Sequence, residues 1–89
     1  MVLITYNDEI IDFVDRYKIV DEQGEQGLIK CYPNETDEFY YNGMVNRQSF
    51  EFFEDVVLPE DYYDGIDVET DEAIYFYKYI NGEFVKITI

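Results

Sequence analysis

The chain has 89 residues and carries 21 acids against six Lys and Arg and no His, a formal net charge of -15 at pH 7 with a pI near 4.1. That balance excludes direct binding to DNA, RNA or an anionic membrane, each of which needs a basic footprint. Seven Phe and ten Tyr, 19% of the residues, exclude the disorder that such a charge would otherwise impose, so the chain reads as one folded domain over 1–89 that needs no cofactor to build its core.

Val2 to Tyr6 reads as a short strand of apolar and β-branched residues. Asn7 then stands where a helix N-cap would, followed by Asp8 and Glu9 in the first turn. Ile10, Phe13, Val14 and Tyr17 recur at the spacing of an amphipathic helix, which predicts a helix over Asp8 to Lys18. Asp8, Asp12 and Asp15 share another face of that helix and form a secondary candidate set for binding a partner, partly offset by Arg16 and Lys18.

Ile19 and Val20 extend into a strand before the polar run Asp21 to Gly27, whose two glycines mark a turn. Leu28 to Tyr32 is a second strand and contains Cys31, the only cysteine. No internal disulfide can form, which fits a reducing compartment, and neither a basic leader nor a membrane-length apolar run is present; the expectation is a cytoplasmic protein. With no His to support a thiolate, Cys31 reads as a small packed hydrophobe rather than a nucleophile.

After Pro33 and Asn34, the run Phe39 to Val45 holds Asn42-Gly43 between apolar flanks, the pattern of a two-residue hairpin turn. Asn46 or Ser49 can cap a second helix over Phe50 to Val57, with Phe50, Phe53 and Val57 on one side and Glu51, Glu54 and Asp55 on another; Pro59 ends it. Glu60 to Glu72 is acidic loop around Gly65. Ala73 to Ile80, Asn81-Gly82 and Glu83 to Ile89 then give the clearest signal in the chain, a hairpin that places Tyr75, Tyr77 and Tyr79 opposite Thr88, Lys86 and Phe84. The other face, with Ile74, Phe76, Ile87 and Ile89, is expected to be core. The fold class that follows is α+β: a mainly antiparallel sheet, two short helices and a C-terminal β-hairpin.

Catalytic motifs are absent: there is no phosphate loop, no nucleophile elbow and no His to act as base or ligand, and the chain reads as a binder rather than an enzyme. Glu60 to Asp71 has the length and central glycine of a calcium loop, but Tyr62 stands at position 3, Asp67 at position 8 and Asp71 at position 12, where that loop needs an oxygen ligand, an apolar residue and Glu.

Glu51, Glu54, Asp55, Glu60, Asp61, Asp64, Asp67, Glu69, Asp71 and Glu72 place ten acids in one quarter of the chain, with no cation between Arg47 and Lys78. Phe52, Phe53, Val56, Leu58, Ile66 and others interleave them, which a purely solubilising tail would not need. Fixed to an apolar scaffold, these carboxylates would present a negative array to a basic groove, with Tyr62 and Tyr63 as stacking anchors. In size, acidity, aromatic content and lack of catalytic residues the chain resembles the small DNA-mimic inhibitors of phages and mobile elements: anti-CRISPR proteins, antirestriction proteins and inhibitors of uracil-DNA glycosylase. The resemblance implies a stoichiometric inhibitor that fills the nucleic-acid channel of a basic nuclease or repair enzyme. An immunity protein for a basic toxin uses the same surface and is the alternative, with a calcium-responsive module as a third.

Overall fold

The computed structural model describes residues 1–89 and contains eight β-strands, two single-turn 3-10 segments and no α-helix. The strands are β1 (Val2–Tyr6), β2 (Glu9–Val14), β3 (Arg16–Gln23), β4 (Gln26–Tyr32), β5 (Tyr40–Met44), β6 (Phe50–Glu54), β7 (Tyr75–Ile80) and β8 (Glu83–Thr88). They form a five-stranded sheet in the order β6-β1-β2-β7-β8 and a three-stranded sheet in the order β3-β4-β5, with every pairing antiparallel.

Both expected helices are therefore strands, and the α+β assignment is replaced by an all-β one. Asn7 and Asp8 both adopt left-handed backbone (φ 48° and 68°), and so close a two-residue hairpin between β1 and β2 instead of capping a helix. The apolar spacing that mimicked a helix comes from a register shift: Ile4 pairs with Asp12 but Thr5 pairs with Ile10, so the extra residue Ile11 turns an alternating pattern into one of three and four. Phe50 to Glu54 shows the same preference, because its aromatic side chains lose little on a pleated sheet and more in a helix. The Asn42-Gly43 turn is absent too. β5 runs straight through it, paired along β4, and the Asn42 side-chain amide donates to the Asp12 carboxylate at 3.0 Å.

The two sheets enclose one core. Val2 and Ile4 of β1 and Val14 of β2 meet Ile29 and Cys31 of β4 and Met44 of β5, with Tyr17, Ile19, Phe50 and Phe52 packed around them. Tyr17 stacks on Phe52 across the sheets at 4.3 Å. The opposite face of the five-stranded sheet carries Leu3, which is fully buried, and Phe53. Flat strands would hold β6 and β7 about 14 Å apart. The rings of Phe53 and Tyr79 nevertheless lie 4.7 Å apart, so the sheet curls around this face. It can curl because β2 and β7 share a single ladder pair, Glu9 with Lys78.

The C-terminal hairpin has the expected register, from Tyr75 opposite Thr88 to Ile80 opposite Glu83, around Asn81 and Gly82 at φ 52° and 80°. Which of its faces is packed is the reverse of the expectation. Tyr75, Tyr77, Tyr79 and Phe84 turn toward the curled, covered side, whereas Ile74, Phe76 and Ile89 are 48%, 44% and 72% exposed. The three-stranded sheet ends short of them. No helix is long and apolar enough to cross a membrane.

Candidate functional site

Between β6 and β7 the chain builds a lobe on the curled face. It leaves β6 through Asp55, whose left-handed backbone (φ 57°) turns the chain off the sheet edge, and passes Pro59 into a 3-10 turn over Tyr62–Asp64. Asp61, just before the turn, fastens the lobe. Its carboxylate accepts the Tyr77 hydroxyl at 2.6 Å and pairs with the Lys86 ammonium at 2.5 Å, while its main-chain carbonyl accepts the Tyr75 hydroxyl at 2.5 Å. Lys86 also lies over the Tyr75 ring, 4.3 Å from its centre.

These bonds set the protonation of the cluster. The Lys86 and Tyr77 hydrogen bonds hold the Asp61 carboxyl below its ordinary range. The hydrogen bond to Asp61 raises both Lys86 and Tyr77, and loss of solvation followed by the Asp61 charge raises Tyr75. The Tyr62 ring sits against Tyr77 and Phe84 at 6.0 and 6.5 Å, and burial pushes its phenol up.

Beyond the turn, Gly65 is buried against Tyr75, where a Cβ would run into the Tyr75 carbonyl oxygen. Its own carbonyl accepts the Ile74 N–H at 2.7 Å, and Ile66 bridges to Ala73. The six residues 67–72 are thus pinched into a tight loop: the Asp67 N–H donates to the Glu72 carbonyl and the Asp71 N–H to the Asp67 carbonyl, both at 2.8 Å, with the Glu69 N–H on the Asp67 side chain at 2.9 Å.

The candidate residues divide among several places. Glu60, Asp61, Tyr62, Tyr63, Asp64, Asp67, Glu69, Asp71 and Glu72 belong to the lobe. Of its acids only Asp61 is ion-paired, because the other bonded cations serve elsewhere: Arg16 with Asp15 and Asp37, and Arg47 with Glu22. Tyr63 is 77% exposed, edge-on to Tyr62 at 5.0 Å.

Glu51 and Glu54, by contrast, point to opposite faces of β6, since Glu51 pairs with Thr5 and Glu54 with Val2. Glu54 and Asp55 line a shallow cleft with Asp15 and Arg16. The secondary set is not a set: Asp8 is an exposed turn residue, Asp15 is bonded to Arg16 at 3.1 Å, and Asp12 faces between the sheets, where it accepts the Tyr40 hydroxyl and the Asn42 amide. No three His, Cys, Asp or Glu side chains converge to hold a metal ion. Cys31 is buried, and its thiol is pushed up to about 11 by desolvation and the nearby Asp12 charge.

The residues missed as functional are the lobe's anchors, Lys86, Tyr75 and Tyr77. The hairpin register already put them on one face, and a lysine placed among tyrosines there was a signal that an acid from another segment would meet it. No protein-family model, no curated protein and no solved structure matches this chain.

Proposed function

We propose that the chain is a stoichiometric protein inhibitor whose acidic lobe takes the place of nucleic-acid phosphates in the basic groove of a nuclease or repair enzyme in the cytoplasm. One observation carries the reading: Glu60, Asp64, Asp67, Glu69, Asp71 and Glu72 stand on a lobe locked to the sheet through Asp61, and none of them has a cation partner. Carboxylates carried on a fastened backbone with no internal counter-charge interact with solvent and with whatever approaches. A cationic groove approaching them gains attraction without first breaking an ion pair, so association is steered and salt-sensitive. This reading gives Cys31 no catalytic role, because burial raises its thiol and the chain has no His to support a thiolate.

Geometry supports a narrower set of acids for this reading. Asp61 is an anchor rather than a contact, Asp12 is spent between the sheets, and Glu54 points to the face of β6 away from the lobe. The variant Glu60→Gln, Asp64→Asn, Glu69→Gln, Asp71→Asn removes four lobe charges whose side chains make no hydrogen bond within the chain. Wild-type chain immobilised in a bacterial lysate is expected to capture a basic nucleic-acid-binding protein that duplex DNA displaces and rising salt elutes. The fourfold variant should bind that protein with an association rate lower by about tenfold or more at low salt. Equal capture by both chains, or capture indifferent to DNA, would falsify the phosphate-mimic reading.

A further inference from the structure

We infer that the uncovered face of the β7–β8 hairpin, with the free edge of β8, is a second contact surface that takes an extended segment of the partner in which apolar side chains alternate with Lys or Arg. This rests on the reading above that the partner is basic, and it adds a contact that a nucleic acid does not supply.

The two covers of the five-stranded sheet are offset. The three-stranded sheet packs on β1, β2 and β6 from one side, and the lobe packs on β7 and β8 from the other. One face of β7–β8 is left bare. Phe76 pairs with Ile87 there, and Ile74 lies beside Ile89, whose N–H donates to the Ile74 carbonyl at 3.0 Å. Phe76, Ile74 and Ile89 are 44%, 48% and 72% exposed, and Ile66, 58% exposed, lines one open pocket together with Phe76. Apolar side chains adjoining in this way, rather than scattered singly, mark a contact surface.

Charge selects the occupant. Ile66 and Ile74 bracket the loop 67–72 with its four acids, so whatever covers the isoleucines meets Asp67, Glu69, Asp71 and Glu72 at its border. A second copy would bring the same loop and another net charge of -15 to that border. A strand turns alternate side chains to opposite faces, so a segment whose apolar residues cover this face turns its cations to the other, where the acidic lobe packs on β7 and β8. Lys78, at the inner end of the face, stands across from Glu9 and leaves the border negative.

The edge selects the segment's conformation. β8 ends the sheet order, and the Ile89 bond to Ile74 fixes which groups face inward: Glu83, Val85, Ile87 and Ile89 pair with β7, while Phe84, Lys86 and Thr88 turn their main-chain groups away from it. An added strand pairs with those three residues and lays alternate side chains on the isoleucine and phenylalanine face.

The test uses the full chain and a nine-residue peptide of alternating Val and Arg, with a Val and Glu peptide as control. The Arg peptide is expected to bind one to one and to slow amide exchange at Phe84, Lys86 and Thr88. Phe76→Ser should shorten the complex lifetime by about tenfold, since apolar contacts act on dissociation. Ile89→Ser, at the most exposed of the four positions, is the variant least able to disturb the fold and should act in the same direction, and Phe76→Leu should restore most of the lifetime. Unchanged exchange in β8, equal binding of the Glu peptide, or wild-type lifetimes in both Ser variants would overturn the inference and leave the lobe reading standing. Sedimentation supplies the other arm: a dimer that appears in 1 M NaCl and is lost in Phe76→Ser would make the face a self-contact and overturn the assignment. If the peptide binds as expected but the fourfold lobe variant captures the lysate partner as fast as wild type does, the face stands and the lobe reading falls.

Discussion

At the scale of single residues, Asp61 does the most, because one carboxylate ties a 3-10 turn to two strands through Tyr77 and Lys86. Its pKa is lowered in the folded state, so the stability it contributes is present above the ordinary carboxylate value and is lost as pH falls through the lowered one. Lys86, Tyr75 and Tyr77 are raised, so their contribution is present below the ordinary Lys and Tyr values and is lost as pH rises through the raised ones. The lobe should therefore stay fastened across the neutral range and loosen at both extremes. In Asp61→Asn the phenol of Tyr77 loses the first cause of its shift and should ionise at lower pH. A tyrosinate absorbance titration checks this, and a curve identical to wild type would rule out the cluster as drawn. Cys31 gives a second check. Being buried, with a thiol raised to about 11, it should resist alkylation at pH 8 until the chain is unfolded; rapid labelling of native protein would place it at the surface.

At the scale of elements, the lobe's attachment depends on close backbone approach as much as on charge. Gly65→Ala sets a methyl against the Tyr75 carbonyl, a backbone atom that cannot swing aside. The cost should be about 1–3 kcal/mol in a denaturant titration, the usual range for a forced fit, with Tyr62 losing its place on Tyr77. Leu3→Ala, at a fully buried position on the curled face, should cost about 2–5 kcal/mol, and a smaller loss would mean that the lobe collapses onto the gap. The C-terminal hairpin was legible down to its register because Asn81-Gly82 dictates a local turn that no distant contact needs to supply. Asn42-Gly43 carries the same dipeptide and forms no turn, since pairing along β4 and the bond from Asn42 to Asp12 outweigh local preference. The two misread helices have separate causes: a bulge at Ile11, set by the strands it joins, imitates helical spacing, and the aromatic run Phe50 to Phe53 pairs along β1 as a regular strand. The lobe was legible as an acidic segment held by aromatic residues. Its fastening was not, because the choice of Asp61 over its neighbours is made by Lys86, a residue 25 positions away.

At the scale of the whole molecule, charge acts on folding and on binding with opposite sign. A net charge of -15 with the lobe acids unpaired means that the compact state carries self-repulsion, which screening relieves over about 10 Å at 0.1 M salt. Added NaCl should therefore raise Tm. The variant Glu60→Gln, Asp64→Asn, Glu69→Gln, Asp71→Asn should melt higher than wild type in low salt, and the gap should close as salt is added, because the variant has less repulsion left to screen. The same four changes are expected to slow association with a basic partner. Calorimetry and association kinetics on one pair of proteins thus separate two accounts of these carboxylates. If they are held for an outside contact, neutralising them stabilises the fold and weakens binding. If they serve the fold, the variant melts lower at every salt concentration and the lobe is a structural element only. Asp61→Asn is the internal contrast: it removes one negative charge but also the ion pair with Lys86 and the charged acceptor of the Tyr77 hydroxyl, so its Tm should fall where that of the fourfold variant rises.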